Sequence, residues 1–121
     1  MAKIPEFMLK ALYVRGSLQR TDDGFEFQIK NELGPARIVG ALPLKVDRKP
    51  VPLADCSFLY GDEEVAAEAL TPENSLLMRK GEAVTIRVRG MALRPGRHTL
   101  GIGVAVKDLG ELRFTVGDGV R

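Results

Sequence analysis

The sequence contains very little of the material from which catalytic and metal sites are made. Its 121 residues include one cysteine, one histidine and no tryptophan. The lone thiol, Cys56, excludes an intrachain disulfide and a cysteine-built zinc site. It fits a reducing, cytoplasmic setting. A single histidine, His98, cannot make a zinc site without cysteines. We therefore expect no metal and no cofactor. Aromatic residues are 6% of the chain, and the formal charge is only +2. Neither the stacking surface nor the strongly basic balance of a nucleic-acid binder is present. No apolar run approaches the ~18 residues that cross a membrane. The N-terminus lacks the apolar stretch of a signal peptide. No Gly-x-Ser-x-Gly occurs, and Ser17, Ser57 and Ser75 have no local activating partner.

What the chain does have is alternation with period two. Leu12, Val14, Gly16 and Leu18 form one row; Phe25, Phe27 and Ile29 form the next. Leu42, Leu44 and Val46 follow, then Cys56, Phe58 and Tyr60. Val84, Ile86 and Val88 precede the longest row, Leu100, Ile102, Val104 and Val106, and Leu112, Phe114 and Val116 close the series. Each row puts an apolar face on a core and a polar face in water, as antiparallel sheets do. The expected fold is all-β: one antiparallel sandwich, immunoglobulin-like or jelly-roll-like, of about seven to eight strands.

Turn chemistry separates the rows. Thr21-Asp22-Asp23-Gly24 predicts a tight hairpin with Gly24 free to take positive φ. Asp47-Arg48-Lys49-Pro50 turns the third row into a short strand over Val51–Leu53. Gly61-Asp62, Thr71-Pro72-Glu73-Asn74, Arg94-Pro95-Gly96-Arg97 and Asp108-Leu109-Gly110-Glu111 mark further turns. Asp62–Leu70 is ambiguous. Its propensity is helical, yet nine residues is short for a stable helix. It reads as one short helix near 62–70 or as an edge strand followed by a loop. Residues 1–7 look unlike the rest and read as an expression leader or disordered arm before Met8, leaving 8–121 as a single domain.

Few residues are candidates for chemistry. His98 shares parity with Leu100 and Ile102, so it starts an apolar row. It is either a general base or a half-buried imidazole bonded to a nearby carbonyl. Cys56 lies on inward parity, where burial raises a thiol's pKa and leaves it inert. Asp62, Glu63 and Glu64 form an acidic turn without the oxygen count or loop spacing of a calcium site. Gly101-Ile102-Gly103 lies inside a strand with no helix after it, so it is not a dinucleotide loop. Gly101, Gly103 and Ala105 instead give that strand's outward face a row of small residues. This is either a packing device within the sheet or a docking face for a second chain. Arg79, Lys80, Arg87, Arg89, Arg94 and Arg97 cluster in one third of the chain and read as a solvated edge.

Several stretches together resemble the small β subunit of bacterial C-glycoside deglycosidases. These are Gly24-Phe25-Glu26-Phe27, Leu42-Pro43-Leu44-Lys45-Val46-Asp47 with Val51-Pro52, and Leu93-Arg94-Pro95-Gly96-Arg97-His98. The chain departs from that family's pattern at Asn31–Arg37 and in its aromatic-free tail Gly117–Arg121. The resemblance implies a non-catalytic accessory subunit that stabilises a larger, metal-dependent barrel partner. The expected partner is thus a protein, either that catalytic subunit or a second copy, with no nucleic acid and no membrane. Two other readings stand beside it. One is a stand-alone module binding a small ligand or carbohydrate through Tyr13, Tyr60 or Phe7. The other is an enzyme in which the fold delivers a carboxylate to His98.

Overall fold

The computed structural model describes residues 4–121. In chain order the elements are α1 (Glu6–Lys10), β1 (Gln19–Thr21), β2 (Gly24–Lys30), β3 (Ala36–Ala41), β4 (Leu44–Val46) and β5 (Lys49–Val51). They continue with β6 (Cys56–Tyr60), β7 (Glu63–Ala66), β8 (Leu76–Met78), β9 (Ala83–Arg89), β10 (Gly96–Val106) and β11 (Gly110–Val120). Single 3-10 turns occupy Leu53–Asp55 and Ala67–Ala69. All the strands pair antiparallel, in two sheets. One sheet runs β1-β2-β9-β6-β7 and the other β5-β4-β10-β3-β8, with β11 also on β10.

The alternating rows set which side chains meet between the sheets. Phe25, Phe27, Val88 and Leu100 are the largest fully buried side chains. Burying each such side chain contributes roughly 1.5–3 kcal/mol. The all-β sandwich is therefore as expected, and Leu100–Val106 does lie centrally. Its strand, β10, pairs with β11 along its length, with β4 at Leu100–Gly101 and with β3 at Val104–Val106.

Several local expectations are corrected. Among the described residues the strands number eleven rather than seven or eight, because β1, β4, β5 and β8 are three-residue pieces. Periodicity over so few residues is barely detectable. β3 was not evident as an alternating row at all. Of the two readings of 62–70 the edge strand holds, and among the described residues the α-helix is α1. Glu63–Ala66 forms an edge strand and only a 3-10 turn follows. Leu12–Leu18 is not one strand. Tyr13 bridges Ile29 in isolation, and the chain then bulges before rejoining β2 through β1. The expected Val51–Leu53 strand is Lys49–Val51 instead. Residues 1–3 of the expected leader lie outside the described residues, while Ile4 packs against the core and Glu6 and Phe7 belong to α1.

Gly24 has a different role from the one expected. It has no positive φ. A Cβ there would lie 1.9 Å from the Val88 carbonyl oxygen, so glycine is needed for close approach of β9. Positive φ falls instead on Asp47 and Arg48, at 51° and 72°. These two residues make the β4–β5 hairpin turn, whose twist matches that of the strands.

Candidate functional site

Polar residues gather where the apolar rows end. At the start of β10, His98 Nδ1 lies 2.7 Å from Asp47 Oδ2, and Nε2 lies 2.7 Å from the Arg94 carbonyl oxygen. Neither a carbonyl nor an ionised carboxylate donates, so this arrangement favours the doubly protonated ring, in which both nitrogens donate. The Arg94 carbonyl first, and then the Asp47 carboxylate, hold His98 above the usual histidine range. Asp47 Oδ1 also accepts the Thr99 N–H at 2.9 Å. That bond, then the one from His98, hold the Asp47 carboxyl below its usual range. The same carboxylate thus anchors the strained β4–β5 turn to β10. A general base needs an unshared lone pair, and neither nitrogen offers one in this arrangement.

Asp118, beside His98 in the β10–β11 register, forms a second closure. Its Oδ2 accepts the Tyr13 hydroxyl at 2.6 Å and the N–H groups of Gly16 and Leu18 at 3.1 and 3.3 Å. These bonds tie the bulge before β1 to the last strand of the opposite sheet. Burial alone would raise the Asp118 carboxyl. The bonds from Tyr13, Gly119, Leu18 and Gly16 outweigh it and hold the group below its usual range. Tyr13 is pushed the other way, by its own burial and then by the Asp118 carboxylate. Its ring packs on Phe27, with centroids 6.0 Å apart.

At the opposite end one polar side chain does comparable work. Asn31 is buried where β2 ends. Its amide nitrogen donates to the carbonyls of Gly34 and Met78, at 2.6 and 3.1 Å. Its oxygen accepts the Leu33 N–H at 3.2 Å. Around this post the sandwich stays open. An apolar groove of about 260 Å³ is lined by Ile4, Leu12, Leu33, Val104, Leu109 and Leu112, among others. Leu33 and Leu109 are 40% and 44% exposed.

The remaining expected site residues are dispersed. Gly101, Gly103 and Ala105 do share the outer face of β10. A Cβ on Gly101 would lie 3.3 Å from Lys45 Cβ. One on Gly103 would lie 2.9 Å from Leu42 Cδ1 and 3.3 Å from Arg113 Cγ. Neighbouring side chains of the same sheet thus already use the space these glycines leave. Cys56 is buried and its thiol is pushed up to about 11, by burial and then by Asp55. Arg87 pairs with Glu26 at 3.2 Å, and Arg89 with Glu64 at 3.0 Å, so the basic face is interleaved with acids. Tyr13 is buried, the Tyr60 hydroxyl is bonded to Glu82, and Phe7 alone of the three aromatics is widely exposed. Among the described residues no cluster of three or more His, Cys, Asp or Glu side chains could hold a metal ion. Nor is any helix among them long and apolar enough to cross a membrane.

Asn31 and Asp118 were missed from the sequence, yet each left a signal. Asn31 continues the inward parity of Phe25, Phe27 and Ile29, and Asp118 that of Leu112, Phe114 and Val116. A polar residue on core parity must find partners or it will not be buried.

Residues 8–121 match the family model described as Hydroxymethylglutaryl-CoA reductase, N-terminal domain. No curated protein matches the chain. The family match overturns the resemblance to the deglycosidase β subunit and, with it, the role of stabilising a metal-dependent barrel. The stretches that carried that resemblance serve general β-sheet needs. Gly24 admits the β9 backbone, and Pro95-Gly96 leads into β10, with Gly96 at φ 120°. Such chemistry recurs in unrelated sandwiches. The match spans nearly the whole sandwich, so the chain belongs to the family of hydroxymethylglutaryl-CoA reductase N-terminal domains.

Proposed function

We propose that this chain is a non-catalytic β-sandwich module that works with the catalytic part of a hydroxymethylglutaryl-CoA reductase, holding or positioning it through protein contacts. The family match across residues 8–121 carries this reading. The geometry supports it. The polar side chains that could act in chemistry are engaged in holding the fold: His98 through both nitrogens, Asp118 and Asn31 through several bonds each. An apolar groove with Leu33 and Leu109 exposed at its rim also remains open at the surface, as at sites of protein contact.

The test uses the purified chain and the reductase catalytic chain from the same source. The chain alone should not consume hydroxymethylglutaryl-CoA with a nicotinamide reductant. Added to the catalytic chain, it should co-sediment and change that chain's activity or melting temperature. Turnover by the chain alone, or two species that sediment independently, would overturn the proposal.

A further inference from the structure

A recess of about 380 Å³ opens beside the polar end of the β10–β11 hairpin. It is lined by Lys10, Arg15, Arg97, Thr99, Thr115 and Gly117, among others. Three segments supply its cations. Lys10 ends α1, Arg15 lies in the bulge before β1 and Arg97 lies on β10. No acidic residue lines it, and it shares no residue with the apolar groove.

The fold places these cations by specific contacts. Asp118 Oδ2 accepts the Gly16 N–H at 3.1 Å, which fixes the backbone beside Arg15. Two glycines of β11 leave a track for Arg97. A Cβ on Gly119 would lie 4.0 Å from Arg97 Cγ, and one on Gly117 would lie 3.0 Å from Arg97 Nη2. The Arg97 side chain therefore runs over both glycines, with its guanidinium above Gly117 at the recess. Gly117 has no positive φ, so its backbone does not call for glycine. The guanidinium uses the space instead.

The nearby acids are engaged elsewhere or weakly. Asp118 accepts from Tyr13, Gly16, Leu18 and Gly119. Glu6 lies 3.7 Å from Lys10 in a half-exposed pair, which water screens. Neither Arg15 nor Arg97 has a carboxylate partner among the described residues. Like charges gathered around a concave site without counter-charges focus a positive potential there.

We propose that this recess binds the diphosphate group of a small molecule. Two guanidiniums present planar forks suited to phosphate oxygens, and the Lys10 ammonium adds a mobile charge. The Thr99 and Thr115 hydroxyls can donate beside them. A diphosphate spreads its charge over adjacent groups and meets all three cations at once. A lone carboxylate would leave two of them unmatched. A nucleic-acid strand is a poorer fit, because the one aromatic ring of the lining, Tyr13, is buried and offers no stacking face.

Isothermal titration calorimetry of the full chain with inorganic pyrophosphate tests this, and an amide NMR titration locates the site. The wild type should bind saturably, one per chain, with the largest shifts at Arg15, Thr99, Thr115 and Gly117. R15Q and R97Q should each weaken binding about tenfold, the loss of one charge-assisted contact. G117A should weaken it at unchanged charge, because the new methyl displaces the Arg97 guanidinium. K80Q removes a positive charge away from the recess and should bind as the wild type does. All four positions are exposed, and circular dichroism confirms that each variant is folded. Unsaturable binding, shifts located elsewhere, or R15Q and R97Q binding as tightly as the wild type would each overturn the proposal. So would a loss in K80Q equal to that in R97Q, or binding to an oligonucleotide or to anionic vesicles with no response to pyrophosphate. The recess lies apart from the apolar groove, so failure here is distinguishable from failure of the reductase contact.

Discussion

The two ends of the β10–β11 hairpin follow opposite designs. At the His98–Asp118 end, two carboxylates and a histidine bond backbone groups of three neighbouring segments. At the Val106–Gly110 end, one amide holds the loop and the apolar interior reaches the surface. The first design closes a sandwich with directional bonds and has little apolar area left to offer a protein partner. The second leaves apolar area at the surface, as contact sites do. A protein-contact surface is thus to be sought at the end with fewer polar bonds, although the titratable groups lie at the other.

Substitutions can break this comparison. The largest effect is expected at the sparse end, where the buried Asn31 amide holds two carbonyls. Asn31→Ala leaves the Gly34 and Met78 carbonyls unpaired in a buried setting, and should cost about 3 kcal/mol in urea unfolding. At the polar end the work is shared and partly solvated, so Asp118→Ala should cost less, about 2 kcal/mol. If Asp118→Ala proves the more damaging, the ranking of the two ends is reversed.

The pH dependence of stability should come from the polar end. The folded-state pKa of His98 is raised, so its contribution is complete below the unfolded value and is lost as pH rises through the folded one. Asp47 and Asp118 are lowered, so theirs is present above the unfolded carboxylate value and is lost as pH falls through the folded one. Melting temperature should therefore decline modestly as pH rises past the unfolded histidine value, about 6.5, and through the raised folded one. His98→Gln should flatten that decline while leaving the acid limb in place. An unchanged slope would detach His98 from it. The smallest effect is expected at the groove. Leu33→Lys replaces an exposed side chain and should shift stability by no more than about 0.5 kcal/mol. A larger loss would mean that the groove belongs to the core.

Much of the framework is legible from side-chain parity. Phe25 and Phe27, Val84 to Val88, and Leu100 to Val106 lie on the strands their alternation implies, because a half-buried strand must present one face to the core. The short strands and the bulged start at Tyr13–Leu18 are less visible. Three-residue pairings carry almost no period, and the bulge depends on Asp118, about a hundred positions away. Fragments such as Leu93–His98 carried a mistaken family resemblance because a proline-glycine turn before an apolar strand is general chemistry rather than ancestry.

By itself the sequence determined the fold class, the inward rows and the scarcity of catalytic side chains. Those follow from local pattern and residue type, which every strand expresses without knowing its neighbours. The tertiary structure decided which polar residues meet. Parity marks Asn31, His98 and Asp118 as inward, but only the packing of distant segments shows that His98 faces Asp47, that Asp118 grips the bulge and that Asn31 stands alone beside an open groove. Hydrogen bonds are directional and short, so their partners are set by where the two sheets bring the chain together, and no local pattern encodes that meeting.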